Sequence, residues 1–430
     1  MHALRRWWHD TAGGLPATFW YLWAGLLINR AGAFAMLFLS LYLTDVRGAS
    51  EGLAGTVVGA YGAGGAAGVL LGGVLADRWG RRATLLAAHL ATVGLMVALA
   101  FTRPLLLIAV LSALIGVVHS MPSPAFVAAI VDVVPAERRS RAFNLQFWAF
   151  NLGMAVASLL AGVLAEASFT ALFLVDAGAT LTAAAVIAWK VPETLRLARP
   201  AADPPPATAA PKSIRTRRPG LHTALTDRTF LVFVGLTFVL AVLTMQTSTI
   251  MPLAMRADGL GPSAYGLVVA LGGALIVVGQ LFVPRLIDRH RKDVVLAAST
   301  ALLALGFGAL AIADELAIYL GAAVVWTVGS MLAAPPNAQI NADLAPPQLR
   351  ARYQSVFYLT FPAAAFVAPT LGGVSLQHLG DRHWLIVGGL GLLAALGHLL
   401  AGPSRERHVA ALRRVVDPEP ATPADRVPTG

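Results

Sequence analysis

The chain contains no cysteine among its 430 residues. Disulfide frameworks, thiolate metal sites and cysteine nucleophiles are thereby excluded. Charge is scarce as well: Asp, Glu, Lys and Arg supply 13% of the residues, about half the share of an ordinary soluble domain. Lysine stands only at Lys190, Lys212 and Lys292 beside abundant Ala and Arg, a bias of GC-rich bacterial genomes. Several chemical spacings are missing too. No Ser–Lys or Ser–His pairing at catalytic spacing, His-Glu-x-x-His, paired intramembrane aspartates or Walker-type glycine loop occurs. These gaps argue against an enzyme, a metal centre, a bound cofactor and direct use of ATP.

What the chain has in excess is apolar residues, at 57%. They gather into runs at 17–44, 52–75, 83–101, 104–131, 142–165 and 169–190, then at 230–254, 264–287, 294–313, 316–341, 353–379 and 384–401. Around 18 or more apolar residues suffice to cross ~30 Å of hydrocarbon. The pattern predicts an all-α membrane protein with twelve transmembrane helices. The formal charge of +10 reads as orientation, because of the 32 Lys and Arg only Arg47, Arg103, Arg256 and Arg382 fall in the short loops of one side, with Arg30 inside the first run. Basic loops are retained in the cytoplasm, so both termini are expected there, in a multi-pass protein of the cell's inner membrane. Attraction to anionic lipid is a secondary effect, and a nucleic-acid partner is not indicated. Arg5 and Arg6 precede the first run as in a signal peptide, but that run is too long for a signal's apolar core.

The chain also repeats itself. Gly73-Val-Leu75-Ala-Asp77-Arg78-Trp-Gly80-Arg81-Arg82 has a degenerate echo in Pro284-Arg285-Leu286-Ile-Asp288-Arg289-His-Arg291-Lys292, 211 residues on. At the same offset Asp132, Pro135, Arg139 and Arg141 meet Asp343, Pro346, Arg350 and Arg352. Six crossings per copy give two parallel repeats related by an axis along the membrane normal. The expected domains are a first bundle at 1–195, a cytoplasmic linker at 196–227 with a short interfacial helix near 221–225, a second bundle at 228–402, and a disordered tail at 403–430. Gly64, Gly68 and Gly72, like Gly272, Gly273 and Gly279, offer smooth faces for helix packing.

The run Gly73-x-Leu75-Ala-Asp77-Arg78-x-Gly80-Arg81-Arg82-x-x-Leu85 closely resembles the loop 2–3 signature of the major facilitator superfamily. The twelve crossings, the central linker and Val191-Pro192-Glu193-Thr194 after the sixth helix fit it over about residues 15–402. Within that superfamily the chain is most similar to bacterial drug and metabolite exporters with an Asn-Arg pair in helix one, here Asn29-Arg30. The resemblance implies alternating access by two rocking bundles around a central site. It places Asp77 near the start of helix eleven, around Tyr353. Gly73, Asp77, Arg78, Gly80, Arg81 and Arg82, with Arg141, Asp288, Arg289 and Arg352, would then latch the cytoplasmic side. Topology enforcement by these charges is the competing reading. Two departures stand out. Ser112 occupies the position four before Gly116 where proton-coupled members often carry arginine. Helix five reads Gly153-x-x-x-Ala157-Ser158-x-x-Ala161-Gly162, without the exporters' proline, which Ala364-x-x-x-Ala368-Pro369-x-x-Gly372-Gly373 keeps in the second half.

Arg30 is the most informative single residue. It sits ~20 Å into its run at 1.5 Å per residue, and an arginine at mid-membrane costs at least ~2.5–3.5 kcal/mol. Binding an anionic group or pairing with a titrating carboxylate would justify it, as would structural bonds to backbone carbonyls or Asn29. Asp176 in the sixth run is the one carboxylate nominated as a proton site, an interfacial position being the alternative. His119 in the fourth run, ahead of Pro122 and Pro124, can titrate near neutral pH or simply pack. Asn144, Trp148 and Asn151 share one face of helix five, and Trp326, Asn337 and Asn341 one face of helix ten. Gln246 lies inside helix seven. Such amides line a cavity or bond helix to helix.

The combined expectation is a monomeric secondary transporter of a small organic solute, exporting it in exchange for protons, with the proton gradient as energy source. Uptake of a metabolite by symport or uniport is the alternative. A receptor or intramembrane enzyme is the weaker class, since no soluble signalling domain is present.

Overall fold

Inside a bilayer every backbone N–H and C=O must be satisfied within the protein, and the apolar runs meet this requirement as helices. The computed structural model describes residues 13–195, 221–279, 282–283, 287, 290–346 and 349–416. The first bundle comprises α1 (Ala17–Ala31), α2 (Glu51–Arg78), α3 (Arg81–Phe101), α4 (Leu105–Ser120 continued by Pro122–Val133), α5 (Arg139–Ala167) and α6 (Phe169–Lys190). The second comprises α7 (Arg228–Met245), α8 (Pro262–Gly279), α9 (Lys292–Gly308), α10 (Leu316–Leu344), α11 (Arg350–Tyr358 continued by Thr360–Leu379) and α12 (Arg382–Val416). Among the described residues, eleven helices are long and apolar enough to cross a membrane. The other crossing is the first run, and it is broken.

α1 stops at Ala31, where the Gly32 N–H turns back to the carbonyls of Ile28, Asn29 and Arg30. The chain resumes as Leu39–Leu41 and a wide π turn at Tyr42–Val46. The repeat carries a matching interruption. α7 gives way to a tight 3-10 turn at Gln246–Ser248, and helix resumes at Ile250–Ala257. Discontinuous helices at equivalent places in two repeats commonly flank a transporter's binding region.

One expected boundary changes. α12 runs to Val416, through Pro403 and past the expected end at 401, so 403–416 are helical rather than disordered. Arg405 explains part of this extension: it is buried, bonded to the His398 carbonyl and set over the Phe233 ring. The short linker helix is present at Leu221–Thr226. The linker's residues 196–220, the remaining tail from 417, and Asp288 and Arg289 lie outside the described residues.

Glycines set the helix spacing. A Cβ on Gly64 or Gly68 would collide with α4 carbonyls, and one on Gly55 or Gly62 with α11 carbonyls. One helix therefore packs closely on its own bundle and on the other. The bundles meet through α2 on α11 and α5 on α8. These contacts gather at the face away from the termini, hereafter the far face. There Asp45 pairs with Arg256, Gln377 Oε1 accepts the Gly52 N–H at 3.0 Å, and Glu166 Oε1 accepts the Ser263 N–H at 3.3 Å. The Phe38 and Tyr265 rings meet across the same seam at 5.1 Å. At the opposite, basic face Gly73 looks onto open space. The contacts between the bundles close the far face.

Leucine at Gly55 should hold the far face open. A single cysteine at Thr247, in this naturally cysteine-free chain, is then expected to gain several-fold in labelling by an impermeant thiol reagent applied from that face. Unchanged labelling would show that the α2–α11 contact does not control closure.

Candidate functional site

The break in α1 is held from α6. Asp176 is fully buried, and its Oδ2 accepts the Ala35 N–H at 3.1 Å just beyond the break. Asn29 Nδ2 donates to Thr180 Oγ1 at 3.1 Å, and Thr180, one turn from Asp176, reaches Asp176 Oδ1 at 3.5 Å. The carboxylate therefore serves a backbone amide and a hydroxyl. Arg30 lies within electrostatic reach of Asp176 and Tyr61. Its guanidinium stands over the Phe150 ring at 4.8 Å, and its Nε is buried with no hydrogen-bond partner. Gly153 of α5 lets the Arg30 backbone come close, since a Cβ there would press on Arg30 Cβ at 2.6 Å.

Arg30 opens onto a cavity of about 110 Å³ inside the first bundle, shared with Asn29, His89, His119, Phe150 and Thr180. His119 Nδ1 and the Tyr61 hydroxyl are 3.0 Å apart, while His119 Nε2 is buried without a partner. His89 Nδ1 lies 2.6 Å from the Leu85 carbonyl, so that nitrogen carries the proton. Arg30 and His119 thus leave polar nitrogens without protein partners beside one cavity. A buried polar atom left so is costly unless something fills the space.

A second cavity of about 230 Å³ lies between the bundles, lined by Phe150, Asn151, Thr244, Thr247, Phe307, Trp326 and Ser330 among others. Phe307 and Trp326 stack at 5.0 Å with planes 3° apart. Asn151 donates to the Phe147 carbonyl of its own helix at 2.9 Å. Phe150 lines both cavities.

A profile of the Major Facilitator Superfamily matches residues 22–369 and 238–425. The chain belongs to the Major Facilitator Superfamily. Among bacterial relatives, the uncharacterized MFS-type transporter YttB of Bacillus subtilis is 26% identical, over 86% of this chain and 90% of its own. The multidrug resistance protein MdtH of Aeromonas hydrophila is 24% identical, over 88% of this chain and 93% of its own. Among solved structures, the peptide transporter POT in complex with sulfate superposes with a TM-score of 0.73 at 18% identity, covering 91% of this chain and 96% of that one. At that identity the likeness speaks for the fold alone.

In this conformation the described contacts of the superfamily signature lie within the first bundle. Asp77 is 77% exposed and lies 3.5 Å from Arg81, one turn on. Arg81 turns inward, with Nε 3.0 Å from Asp132 of α4. Glu193 accepts the Arg81 N–H at 2.8 Å and Thr194 donates to Asp132 at 3.0 Å, so the segment after α6 closes the same knot. Gly80 is required at φ +109°, where a side chain would also meet the Glu193 carboxylate. Arg82 donates to the Ala188 carbonyl, Arg78 and Arg141 are exposed, and Arg352 has a buried Nη1 without a partner. Arg81, Asp132, Glu193 and Thr194 thus brace the loop after α2 against α4 and the segment after α6. At the repeat-related positions Lys292 Nζ meets Asp343 at 2.9 Å.

The structure separates the expected amide stripes. Asn151 and Trp326 reach the central cavity, whereas Asn144 is exposed on α5 and lines neither cavity, and Trp148 is half-buried beside it. Asn337 accepts the Thr237 hydroxyl at 3.0 Å, a helix-to-helix bond between α10 and α7. Asn341 is buried with its Oδ1 unpartnered, outside both cavities. Gln246 turns away to His383 Nε2 at 3.4 Å, in an apolar crevice among α7, α11 and α12. Sequence reasoning missed Thr180, readable as the residue one turn after Asp176. It also missed Tyr61, Phe150 and Phe307, which carry no signal until their helices are placed.

The two braces should respond unequally to loss of their cation. Arg81 and Asp132 are 10% and 6% exposed, so Arg81→Ala strands a buried carboxylate and is expected to cost ~3–5 kcal/mol. Lys292 and Asp343 are 43% and 34% exposed, and Lys292→Ala should cost no more than ~1 kcal/mol. Thermal melts of the purified variants check the order; equal losses would refute the dry-and-wet distinction.

Proposed function

We propose that this chain is a proton-coupled secondary transporter that moves a small organic solute through a bacterial inner membrane by alternating access. The positive-inside bias assigns the basic face and both termini to the cytoplasm. The closed far face is then the external one. The carrying observation is that Arg30, which lacks a partner for Nε, shares a cavity with Thr180, whose hydroxyl donates to the buried Asp176.

The electrostatics suggest the sign of the coupling. An anionic group at Arg30 is repelled by ionised Asp176 and not by its protonated form. Solute and proton then each bind better in the presence of the other, and reciprocity makes the effect mutual. Protonation also weakens the charge-assisted bond to the Ala35 N–H, loosening the break in α1 as both ligands arrive. Proton and solute would cross together, inward along the usual proton gradient. Export in exchange for protons is the second reading. The multidrug-resistance name of the MdtH relative favours it, and a neutral or cationic solute could compete with the proton for the same carboxylate.

Proteoliposomes with an imposed pH gradient distinguish the two, using a solute found by thermal stabilisation of the purified chain. Symport accumulates the solute in the alkaline compartment, and antiport in the acidic one. Asp176→Asn keeps an acceptor oxygen for Ala35 but cannot titrate, so it should abolish accumulation while leaving solute exchange. Arg30→Ala should abolish both at normal membrane levels. Indifference of the unmodified chain to the gradient removes the proton, and normal transport by Arg30→Ala removes that residue from the site.

A further inference from the structure

The repeat-related positions of the two bundles are chemically unequal. Arg30, His119 and Asp176 correspond at the 211-residue offset to Ala241, Ser330 and Val387, none of which carries charge. Of these repeat-related positions, only those of the first bundle carry ionisable groups. The second bundle contributes the flat stack of Phe307 and Trp326 to the central cavity. Phe150 joins the two, with the Arg30 guanidinium over its ring and its other side in the central cavity. A ligand that touched only one bundle could not report to the other, and rocking requires a ligand that senses both.

We infer that the transported solute is an aryl carboxylate, its carboxylate seated in the first-bundle cavity at Arg30 and its flat ring body across Phe150 against Trp326, which the buried Phe307 backs. The inference rests on reading Arg30 as the anion-binding group and adds the nature and placement of the body. The inner cavity, at about 110 Å³, accepts a carboxylate with water beside it, since one water needs only ~10–15 Å³ by the same measure. A guanidinium matches a planar carboxylate in shape and charge. Aromatic faces take a flat aromatic partner in offset or edge contact better than a flexible chain.

Calorimetric titration of the purified full-length chain in lipid nanodiscs tests this with three probes of similar size: 2-naphthoate, its neutral amide 2-naphthamide, and octanoate. 2-Naphthoate is expected to bind at least several-fold more tightly than either other probe. Arg30→Gln should reduce 2-naphthoate to the level of the amide. Trp326→Ala should reduce it to the level of octanoate, with Trp326→Phe restoring the preference and guarding against a mere folding defect. Octanoate binding as tightly as 2-naphthoate overturns the aromatic body and leaves the anion reading intact. The amide binding as tightly as the acid, or Arg30→Gln without effect, overturns the anion reading and this inference with it. Absence of binding by all three overturns the inference.

Discussion

The arrangement depends on keeping one guanidinium inside an apolar bundle. Removing a cation from water is costly, and the surroundings of Arg30 answer that cost without a direct carboxylate bridge. Phe150 offers its ring face, Asp176 supplies opposite charge at a distance, and a cavity supplies room. Because Asp176 spends its oxygens on Ala35 and Thr180, it orders the break in α1 and compensates Arg30 together. A change of charge at one carboxylate thus alters both a ligand-facing cation and the backbone geometry of a helix that lines the path.

Such a change can travel because the bundles are packed closely but not everywhere. Glycines of α2 fit it against α4 within its own bundle and against α11 across the interface, where the far face is shut. At the basic end the same helix borders open space at Gly73. Packed interfaces switch between discrete arrangements rather than deforming smoothly, so this uneven contact suits rigid-body rocking. The loop after α2 is held to its own bundle through Arg81, Asp132 and Glu193.

Much of the fold was legible in the sequence because bilayer thickness imposes a length on every crossing and duplication leaves paired motifs. The roles of Asp132 and Asp343 as partners of loop cations followed from their place in the repeat. The break after Ala31 did not, since Gly32 to Phe38 are apolar throughout and the group that holds them open, Asp176, is distant in sequence. Amide stripes were similarly ambiguous. A face shared by Trp326 and Asn337 says that both point inward, but whether each meets a cavity or a neighbouring helix depends on tilt and on Pro335 and Pro336 within α10.

Asp227, where the chain enters the second bundle, caps α7 through the Phe230 N–H, accepts the Tyr353 hydroxyl at 3.0 Å, and lies 3.4 Å from His408 on the extension of α12. That junction is moored to the seventh, eleventh and twelfth helices at a single point. The entry point at Asp227 therefore belongs mechanically to the second bundle and is not itself a hinge.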